Sequence, residues 1–307
     1  MAADLWEGSS TAAPDMCGSG LGFVAVGASG KGAHGECARV GTRSPAARTD
    51  PCRSRSLCTR RRRSSCLDVQ VRLQTRQAVP IQASVDVAAF DHALNQGSLR
   101  LAFVGMSNCG KSFRTSQLEQ QAQFSRLSVD EEIEKVVEPE LRALGYAGIE
   151  GMAEWMGYPY DPQNAANVAR YLDIEDSITA NAQPTVPAKN FCLDTTGSVI
   201  YLPQPTLQRL RDEFLVVHLE ASDDMLDEMT ENYFATPKPV VWGDAFKQRD
   251  GQSGIDALRE CYPNLLQQRR KLYRALAHVN LPARVSLGRE IGCADFLHTL
   301  RKLLPDQ

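Results

Sequence analysis

The chain has 307 residues, of which 43% are hydrophobic and 23% are charged, and its formal net charge is −3. This length is sufficient for one or two domains with a hydrophobic core. No apolar run approaches the roughly 20 residues that a membrane-spanning helix requires, so the composition favours a soluble protein and gives no membrane partner.

A basic leader is predicted over residues 1–97. Residues 39–76 contain 11 arginines, opposed only by Asp50 and Asp68, and show no helical or strand period before about residue 69. An arginine-rich, serine-rich and acid-poor N-terminus is typical of an organelle transit peptide. The alternatives are a disordered basic tail and a nucleic-acid-binding patch. Aromatic residues, which would stack on bases, do not interleave with these arginines, so we predict no nucleic-acid partner.

A phosphate-binding loop is predicted at residues 105–112, GMSNCGKS, which follow the apolar run LRLAFV. Four residues separate Gly105 from Gly110, and Lys111 and Ser112 follow directly. In this pattern backbone N–H groups surround the phosphates, the lysine reaches the β and γ oxygens, and the serine hydroxyl ligates Mg²⁺. The alternative is a glycine turn without a ligand. The loop's other candidate ATP contacts are Met106, Ser107, Asn108 and Cys109.

From residue 98 onward, short apolar runs alternate with helical patterns. The predicted strands are LRLAFV, SRLSV ending at Asp130, NFCL ending at Asp194, FLVVHL around Val217 and ARVSL around Val285. Helices are predicted over residues 111–122, 131–143, 149–157, 164–180, 204–213, 223–234, 254–279 and 290–304. This alternation predicts a three-layer α/β P-loop NTPase fold, with a five-stranded parallel sheet and helices on both faces.

Two irregular stretches interrupt this kinase-like domain, which is predicted over residues 98–307. Residues 144–188 are interpreted as a helical insertion over the carboxyl edge of the sheet, where a second substrate would lie. Residues 235–253 contain Pro237, Pro239, Gly243 and Gly251 with Lys238 between the prolines. Such a segment after the fourth strand is a candidate mobile lid; the alternative is an inert surface loop.

Two carboxylates follow predicted strands. Asp130 would face the phosphate loop, where it could orient an attacking hydroxyl or accept its proton. A helix N-terminal carboxylate is the alternative, since Glu131 and Glu132 follow it. Asp194 ends the third strand in the manner of a carboxylate that holds the Mg²⁺ shell through water, although it could equally be a turn or helix cap.

In the order of its motifs the chain resembles shikimate kinase and, more widely, the nucleoside-monophosphate-kinase-like group. The resemblance runs from about Leu99 to Leu304. It rests on the phosphate loop, the aspartate in SVDEEIEK, the turn TTGS after the third strand, the prolyl lid, and RRKLYRALA on a late helix.

The resemblance implies roles for individual residues. Asp130 matches the aspartate that touches the acceptor hydroxyl and the metal, and Arg269 matches the arginine that pairs with a substrate carboxylate. Lys238 takes the place of a lid arginine near the transferred phosphate, and Gly197 is the middle residue of a substrate-binding glycine turn. Lys111, Asp130 and Lys238 are therefore the candidate catalytic residues, and Arg269 has the alternative of a solvated helix position.

The chain also departs from the family. Thr196 and Ser198 replace two glycines of the turn, and GIEGMAEWMG lacks the second carboxylate-binding arginine. The resemblance implies an ATP- and Mg²⁺-dependent kinase acting on a small hydroxylated substrate, with shikimate as the leading acceptor. The alternative is a catalytically divergent ATP-binding protein with a structural or regulatory role. The resemblance also implies the chloroplast stroma ahead of the mitochondrion; the oligomeric state stays open.

Overall fold

A five-stranded parallel sheet lies at the centre of residues 86–305, the part of the chain that the computed structural model describes. The strands are β1 Arg100–Val104, β2 Ser125–Ser128, β3 Phe191–Asp194, β4 Leu215–Leu219 and β5 Val279–Leu281. They pair in the order β2-β3-β1-β4-β5, and every pair is parallel. Together with the flanking helices, this sheet confirms the predicted P-loop NTPase-like α/β fold.

Ten α-helices accompany the sheet in the described residues. They are α1 Val87–Asn95, α2 Lys111–Ala122, α3 Val129–Ala143, α4 Gly148–Met156, α5 Asn164–Ala180, α6 Gln204–Glu213, α7 Asp223–Ala235, α8 Gly254–Leu276, α9 Ala283–Ser286 and α10 Cys293–Lys302. Within residues 86–305, no helix has both the length and the apolar character needed to cross a bilayer.

Apolar runs of the sequence form the buried central strands of the sheet. Every residue of β3 and β4 is buried, and so are the last four residues of β1. Parallel strands covered on both faces require such continuous apolar sequence. Consequently the carboxyl ends of the three central strands are held rigidly, and the loops that follow them are fixed at one edge of the sheet.

Helix α3 begins directly after β2. Ser128 is its N-cap, and its Oγ accepts a hydrogen bond from the Glu131 backbone N–H at 3.4 Å. Asp130 and two glutamates occupy the first turn, where the helix dipole favours negative charge. The predicted second strand, extended to Asp130, was therefore too long by two residues, and Asp130 lies in the first turn of a helix.

The predicted fifth strand was wrong. Residues around Val285 form the short helix α9, and the strand that pairs with β4 is Val279–Leu281. Pro282 separates the two: its carbonyl accepts hydrogen bonds from the backbone N–H groups of Val285 and Ser286, which starts a helical turn. The run ARVSL is apolar enough for a strand, but the proline just before it favours a helix start.

The predicted leader also extended too far. Helix α1 folds onto α10: Phe90 is buried, and Arg301 donates hydrogen bonds to the Asp91 carboxylate at 2.7 Å. Helix α1 therefore lies within residues 86–97, which the prediction had assigned to the leader. The transit-peptide prediction concerns residues outside those that the structure describes.

The predicted insertion and the predicted lid segment differ in their secondary structure. Residues 144–188 contain α4 and α5, and both helices contact α3. The lid segment, residues 235–253, contains one short 3-10 turn at Gly243–Ala245. Val241 and Trp242 are buried, so the segment is anchored at its middle, while the side chain of Lys238 remains accessible.

Candidate functional site

The phosphate loop connects β1 to α2 with the geometry that its glycines permit. Gly105 has φ +149°, and a Cβ there would lie 2.7 Å from the Leu219 carbonyl oxygen of β4. Gly110 has φ +92° and caps α2. The Lys111 ammonium group donates hydrogen bonds to the carbonyl oxygens of Gly105 at 3.0 Å and Met106 at 2.9 Å. The lysine is thus folded into its own loop, where phosphate oxygens could replace these carbonyls.

A buried arginine that the sequence did not reveal holds a second loop beside this one. Arg114 of α2 is 0% exposed. Its guanidinium donates to the backbone carbonyls of Val285 at 2.5 Å, Ser286 at 3.0 Å, Gly288 at 2.7 Å and Ile291 at 2.9 Å. One side chain therefore fixes the whole loop between β5 and α10.

This loop closes against the phosphate loop. A Cβ on Gly110 would lie 2.7 Å from the Ser286 carbonyl oxygen, so glycine is required by contact as well as by its positive φ. Arg114 therefore positions a wall next to the phosphate loop without touching a ligand itself.

A cavity of about 530 Å³ opens beside the phosphate loop. It brings together most of the predicted site residues, from the loop, α3, the TTGS turn, the lid segment and α8. These are Met106, Ser107, Asn108, Lys111, Ser112, Asp130, Gly197, Lys238 and Arg269. Four other predicted residues do not line the cavity: Gly105, Cys109, Gly110 and Asp194. The two glycines shape the loop, Cys109 is buried beneath it, and Asp194 lies behind it.

Asp130 presents an exposed carboxylate to the cavity. The protein around it displaces water and raises the pKa of the carboxyl group, and the charge of Asp194 adds to this effect. The nearby ammonium of Lys111 and a hydrogen bond from Tyr171 act in the opposite direction. A carboxylate with a raised pKa is a stronger base, which suits acceptance of a hydroxyl proton.

Asp194 is buried at the end of β3, 2% exposed. Its Oδ2 accepts hydrogen bonds from Thr115 Oγ1 and from the Arg126 guanidinium, both at 3.3 Å, while its Oδ1 has no hydrogen-bond partner. A buried carboxylate oxygen without a partner calls for a donor or a cation.

These residues fit Mg²⁺ bound together with a nucleotide. Within residues 86–305, no group of three or more His, Cys, Asp or Glu side chains could hold a metal ion on its own. Mg²⁺ commonly binds through one or two carboxylates, waters and substrate phosphates. Ser112 at the loop and the free oxygen of Asp194 meet that requirement, and Asp130 lies on the same cavity.

Arg269 lies on α8 and is 8% exposed. It is therefore buried, and the alternative prediction of a solvated helix position was wrong. One terminal nitrogen donates to the Val241 carbonyl of the lid segment at 2.7 Å, and the guanidinium lies 5.5 Å from the centre of the Tyr201 ring. Its Nε has no hydrogen-bond partner. A buried cation with an unused donor on the wall of a cavity is suited to an anionic or carbonyl group of a ligand.

The TTGS turn rests on a glutamate that sequence reasoning missed. Glu175 of α5 is fully buried, and its two carboxyl oxygens form hydrogen bonds with the hydroxyl groups of Thr196 and Ser198, both at 2.5 Å. Burial raises the pKa of Glu175 to about 7. Tyr171, Glu175 and Thr179 are buried on α5 at spacings of four residues. That polar face was a sequence signal, but a glutamate within a helix ordinarily indicates a solvated position.

Aromatic and apolar side chains form another part of the cavity wall. Tyr233 of α7 stacks on Tyr262 of α8 with ring centres 4.4 Å apart, and Trp242 packs against both. Apolar side chains also line the cavity, among them Met152, Met229, Val241 and Leu266. The cavity therefore offers a compact ligand both apolar contact and polar groups, as small-molecule sites usually do.

Lys238 reaches the phosphate loop from the lid segment. Its ammonium group lies 3.4 Å from Asn108 Oδ1, so its charge can approach a phosphate held by the loop. A lysine acts there as a point charge and lacks the planar two-donor contact of an arginine.

Lys238→Ala is expected to lower kcat of a phosphoryl transfer by about 10²-fold, the usual loss for one preorganised charge in the transition state. Nucleotide affinity should change much less, because the loop itself holds the phosphates. Steady-state rates and the Kd of ATP check both points. Lys247→Ala removes an exposed lysine from the same segment and should leave kcat unchanged. Equal losses in the two variants would contradict the assignment.

Comparison with known proteins gives structural matches only. No family model and no curated protein matches the chain. It is similar to shikimate kinase from Acinetobacter baumannii in complex with shikimate, with 19% identity, 61% of this chain and 85% of that chain covered, and a TM-score of 0.37. It is also similar to shikimate kinase from Bacteroides thetaiotaomicron, with 14% identity, 67% of this chain and 97% of that chain covered, and a TM-score of 0.40. A third match is a putative kinase from Chloroflexus aurantiacus, with 16% identity, 68% of this chain and 100% of that chain covered, and a TM-score of 0.34.

Two of these matches are shikimate kinases, the family that the chain was predicted to resemble, and their identity to this chain is low. Because the TM-scores are 0.40 or lower, the fold class rests on the sheet order and the phosphate loop of this chain itself. Those two features define a P-loop NTPase-like α/β fold.

Proposed function

We propose that the chain transfers the γ-phosphoryl group of ATP to a hydroxyl group of a small acceptor. One observation carries the proposal: the lysine of the phosphate loop and the Asp130 carboxylate line the same cavity. The first group binds phosphate and the second can take a hydroxyl proton, so the two halves of the reaction share one space.

The residues divide the reaction among them. Lys111 leaves its two carbonyl partners and donates to the β and γ phosphate oxygens of ATP. Asp130 accepts the proton of the acceptor hydroxyl as the new bond to phosphorus forms and the bond to the ADP oxygen breaks. Lys238 adds positive charge near the transferred group. Ser112 and Asp194 would hold Mg²⁺, which neutralises phosphate charge when it is bound with ATP.

Shikimate is the acceptor to test first. Its carboxylate suits the buried guanidinium of Arg269, whose Nε has no hydrogen-bond partner, and the solved kinase of Acinetobacter baumannii is in complex with shikimate. Catalysis would then rest on positioning and on charge, without a covalent intermediate. The Thr196 and Ser198 side chains mark the difference from a glycine turn and narrow the choice of acceptor.

The second candidate is a kinase-derived protein that binds ATP without transferring phosphate to shikimate, in a structural or regulatory role. The replacement of the glycine turn by Thr196, Gly197 and Ser198 favours it, because the two added hydroxyls bond to Glu175 inside the protein. Either protein would work in the plastid stroma, a proposal that rests on the family resemblance alone.

A coupled ADP-release assay separates the two candidates. The full chain is mixed with ATP and Mg²⁺, with and without shikimate, and ATP binding is measured by calorimetry on the same sample. ADP release that depends on shikimate supports the kinase. Nucleotide binding with no effect of shikimate, or of a panel of other small alcohols, favours the divergent protein. Absence of nucleotide binding would contradict both.

A further inference from the structure

Three buried side chains contact one another behind the TTGS turn. Glu175 Oε1 lies 2.5 Å from Thr196 Oγ1, Glu175 Oε2 lies 2.5 Å from Ser198 Oγ, and the two hydroxyl oxygens lie 2.9 Å apart. The exposed fractions are 0% for Glu175, 1% for Thr196 and 5% for Ser198. Water therefore cannot supply the missing partners.

The number of protons decides the charge of this cluster. Three oxygen–oxygen contacts need three protons, and the two hydroxyls supply only two. If Glu175 is ionised, both hydroxyl protons point to its carboxylate, and the contact between Thr196 and Ser198 brings together two lone pairs. If Glu175 is a neutral acid, its own proton completes the ring. Every contact is then a hydrogen bond.

We propose that Glu175 is a positioning residue that acts as a neutral carboxylic acid, and that its proton closes a ring of hydrogen bonds which fixes the Thr196–Gly197–Ser198 turn on the cavity wall. The ring is a property of the described structure. Its use in placing an acceptor rests on the proposed function.

The turn is tied to the ring and to α8 at once. The Ser198 backbone N–H donates to Thr196 Oγ1 at 3.0 Å, and the Tyr273 hydroxyl donates to the Gly197 carbonyl at 2.5 Å. Ser198 and Gly197 both line the cavity. A change in the protonation of Glu175 therefore changes the hydrogen bonding of the residues that an acceptor would touch.

The charged groups around Glu175 come from several elements. Asp130 of α3 favours the neutral acid and Arg269 of α8 favours the carboxylate. The buried Tyr171, one turn earlier on α5, carries no charge, because burial raises the pKa of its hydroxyl well above the ordinary value. Burial is the largest effect on Glu175 itself and raises its pKa to about 7.

Binding of an anionic acceptor would favour the neutral form of the Glu175 carboxyl group. A carboxylate bound to Arg269 would offset the charge that favours ionised Glu175, so acceptor binding would take up a proton above neutral pH. A neutral acceptor would not. The pH dependence of acceptor affinity thus reports the charge of the acceptor.

The test follows the ring without needing an acceptor. The ¹³C signal of the Glu175 side-chain carboxyl and the ¹⁵N–H signals of Gly197 and Ser198 are recorded from pH 5 to pH 9 in the full chain. Glu175→Gln is the informative variant, because its amide supplies the protons that the neutral acid supplies. Glu119→Gln, an exposed site, is the matched control.

We expect the Glu175 carboxyl to titrate near pH 7, with the amides of Gly197 and Ser198 shifting at the same midpoint. In Glu175→Gln the two amides should stay constant, and in Glu119→Gln they should behave as in the unmodified chain. A carboxyl that titrates near its ordinary value of 4.5, or amides that shift equally in Glu175→Gln, would overturn the proposal.

A thermal measurement gives the second readout. The folded pKa of Glu175 is raised, so its stabilising contribution is complete below pH 4.5 and is lost as the pH rises through about 7. The Tm of Glu175→Gln relative to the unmodified chain should therefore increase between pH 5 and pH 8. A constant difference would contradict the ring. If the ring titrates as expected while no acceptor is phosphorylated, the inference stands and the proposed kinase function fails.

Discussion

Asp130→Asn will lower kcat for phosphoryl transfer by about 10³-fold, within the range that positioned acid–base groups contribute. The amide keeps the size of the side chain but cannot accept the proton of the attacking hydroxyl. Initial rates with saturating ATP and acceptor measure the loss. The affinity for ATP should change much less than kcat, because the phosphate loop holds the nucleotide.

The pH profile adds a second test of Asp130. A proton acceptor must be ionised, so the rate should fall as the pH drops through the pKa of Asp130. The surrounding protein displaces water from the Asp130 carboxyl group and raises that pKa, which moves the acid limb upward from the ordinary range of aspartate. Glu132→Gln changes a glutamate in the same helical turn, where it pairs with Lys135, and should keep both kcat and the acid limb. If the remaining activity of Asp130→Asn still falls at acid pH as it does in the unmodified chain, Asp130 is not the base.

Arg114→Met will lower the free energy of unfolding by about 4 kcal/mol, as expected when a buried charged donor leaves several carbonyl groups without partners. Methionine fills much of the volume and removes every donor. Chemical denaturation in urea, followed by circular dichroism, measures the change. The affinity for nucleotide should also fall, because the loop between β5 and α10 loses its anchor beside Gly110.

Arg274→Met is the matched control. This arginine donates to Glu220 from an exposed position, and exposed ion pairs contribute about 0–1 kcal/mol. A loss below about 1 kcal/mol in Arg114→Met would show that the five hydrogen bonds of its guanidinium do not determine stability.

Local signals in the sequence predicted the phosphate loop and most of the elements. The helix at residues 164–180 and the helix at 204–213 have the predicted bounds, because their apolar spacing and flanking residues are local. The predicted fifth strand was wrong because ARVSL has strand-like composition. Pro282 is the one local signal against a strand there, and the pairing with β4 identifies VNL as the strand. Pairing is a long-range property that composition does not contain.

The two site residues that the sequence did not predict were missed for a different reason. Glu175 and Arg114 are charged residues in helices, and in sequence they look like solvated positions. Glu175 is buried only because α5 packs beside the TTGS turn, and Arg114 only because the loop 285–291 folds over α2. Asp130 and Lys238 were predictable because strand ends and lids lie at the carboxyl edge of a parallel sheet. Partners distant in the chain decide the rest.

The position of β1 in the sheet determines when the protein can fold during synthesis. Its neighbours are β3 and β4, and the first pair joins Arg100 to Phe191, 91 residues later. The phosphate loop therefore emerges from the ribosome long before the strands that support it. The contact between Asp91 and Arg301 spans 210 residues, so helix α1 stays without its partner until almost the whole chain has been made. An interval of this length is one in which a nascent chain depends on chaperones to keep its apolar strands apart.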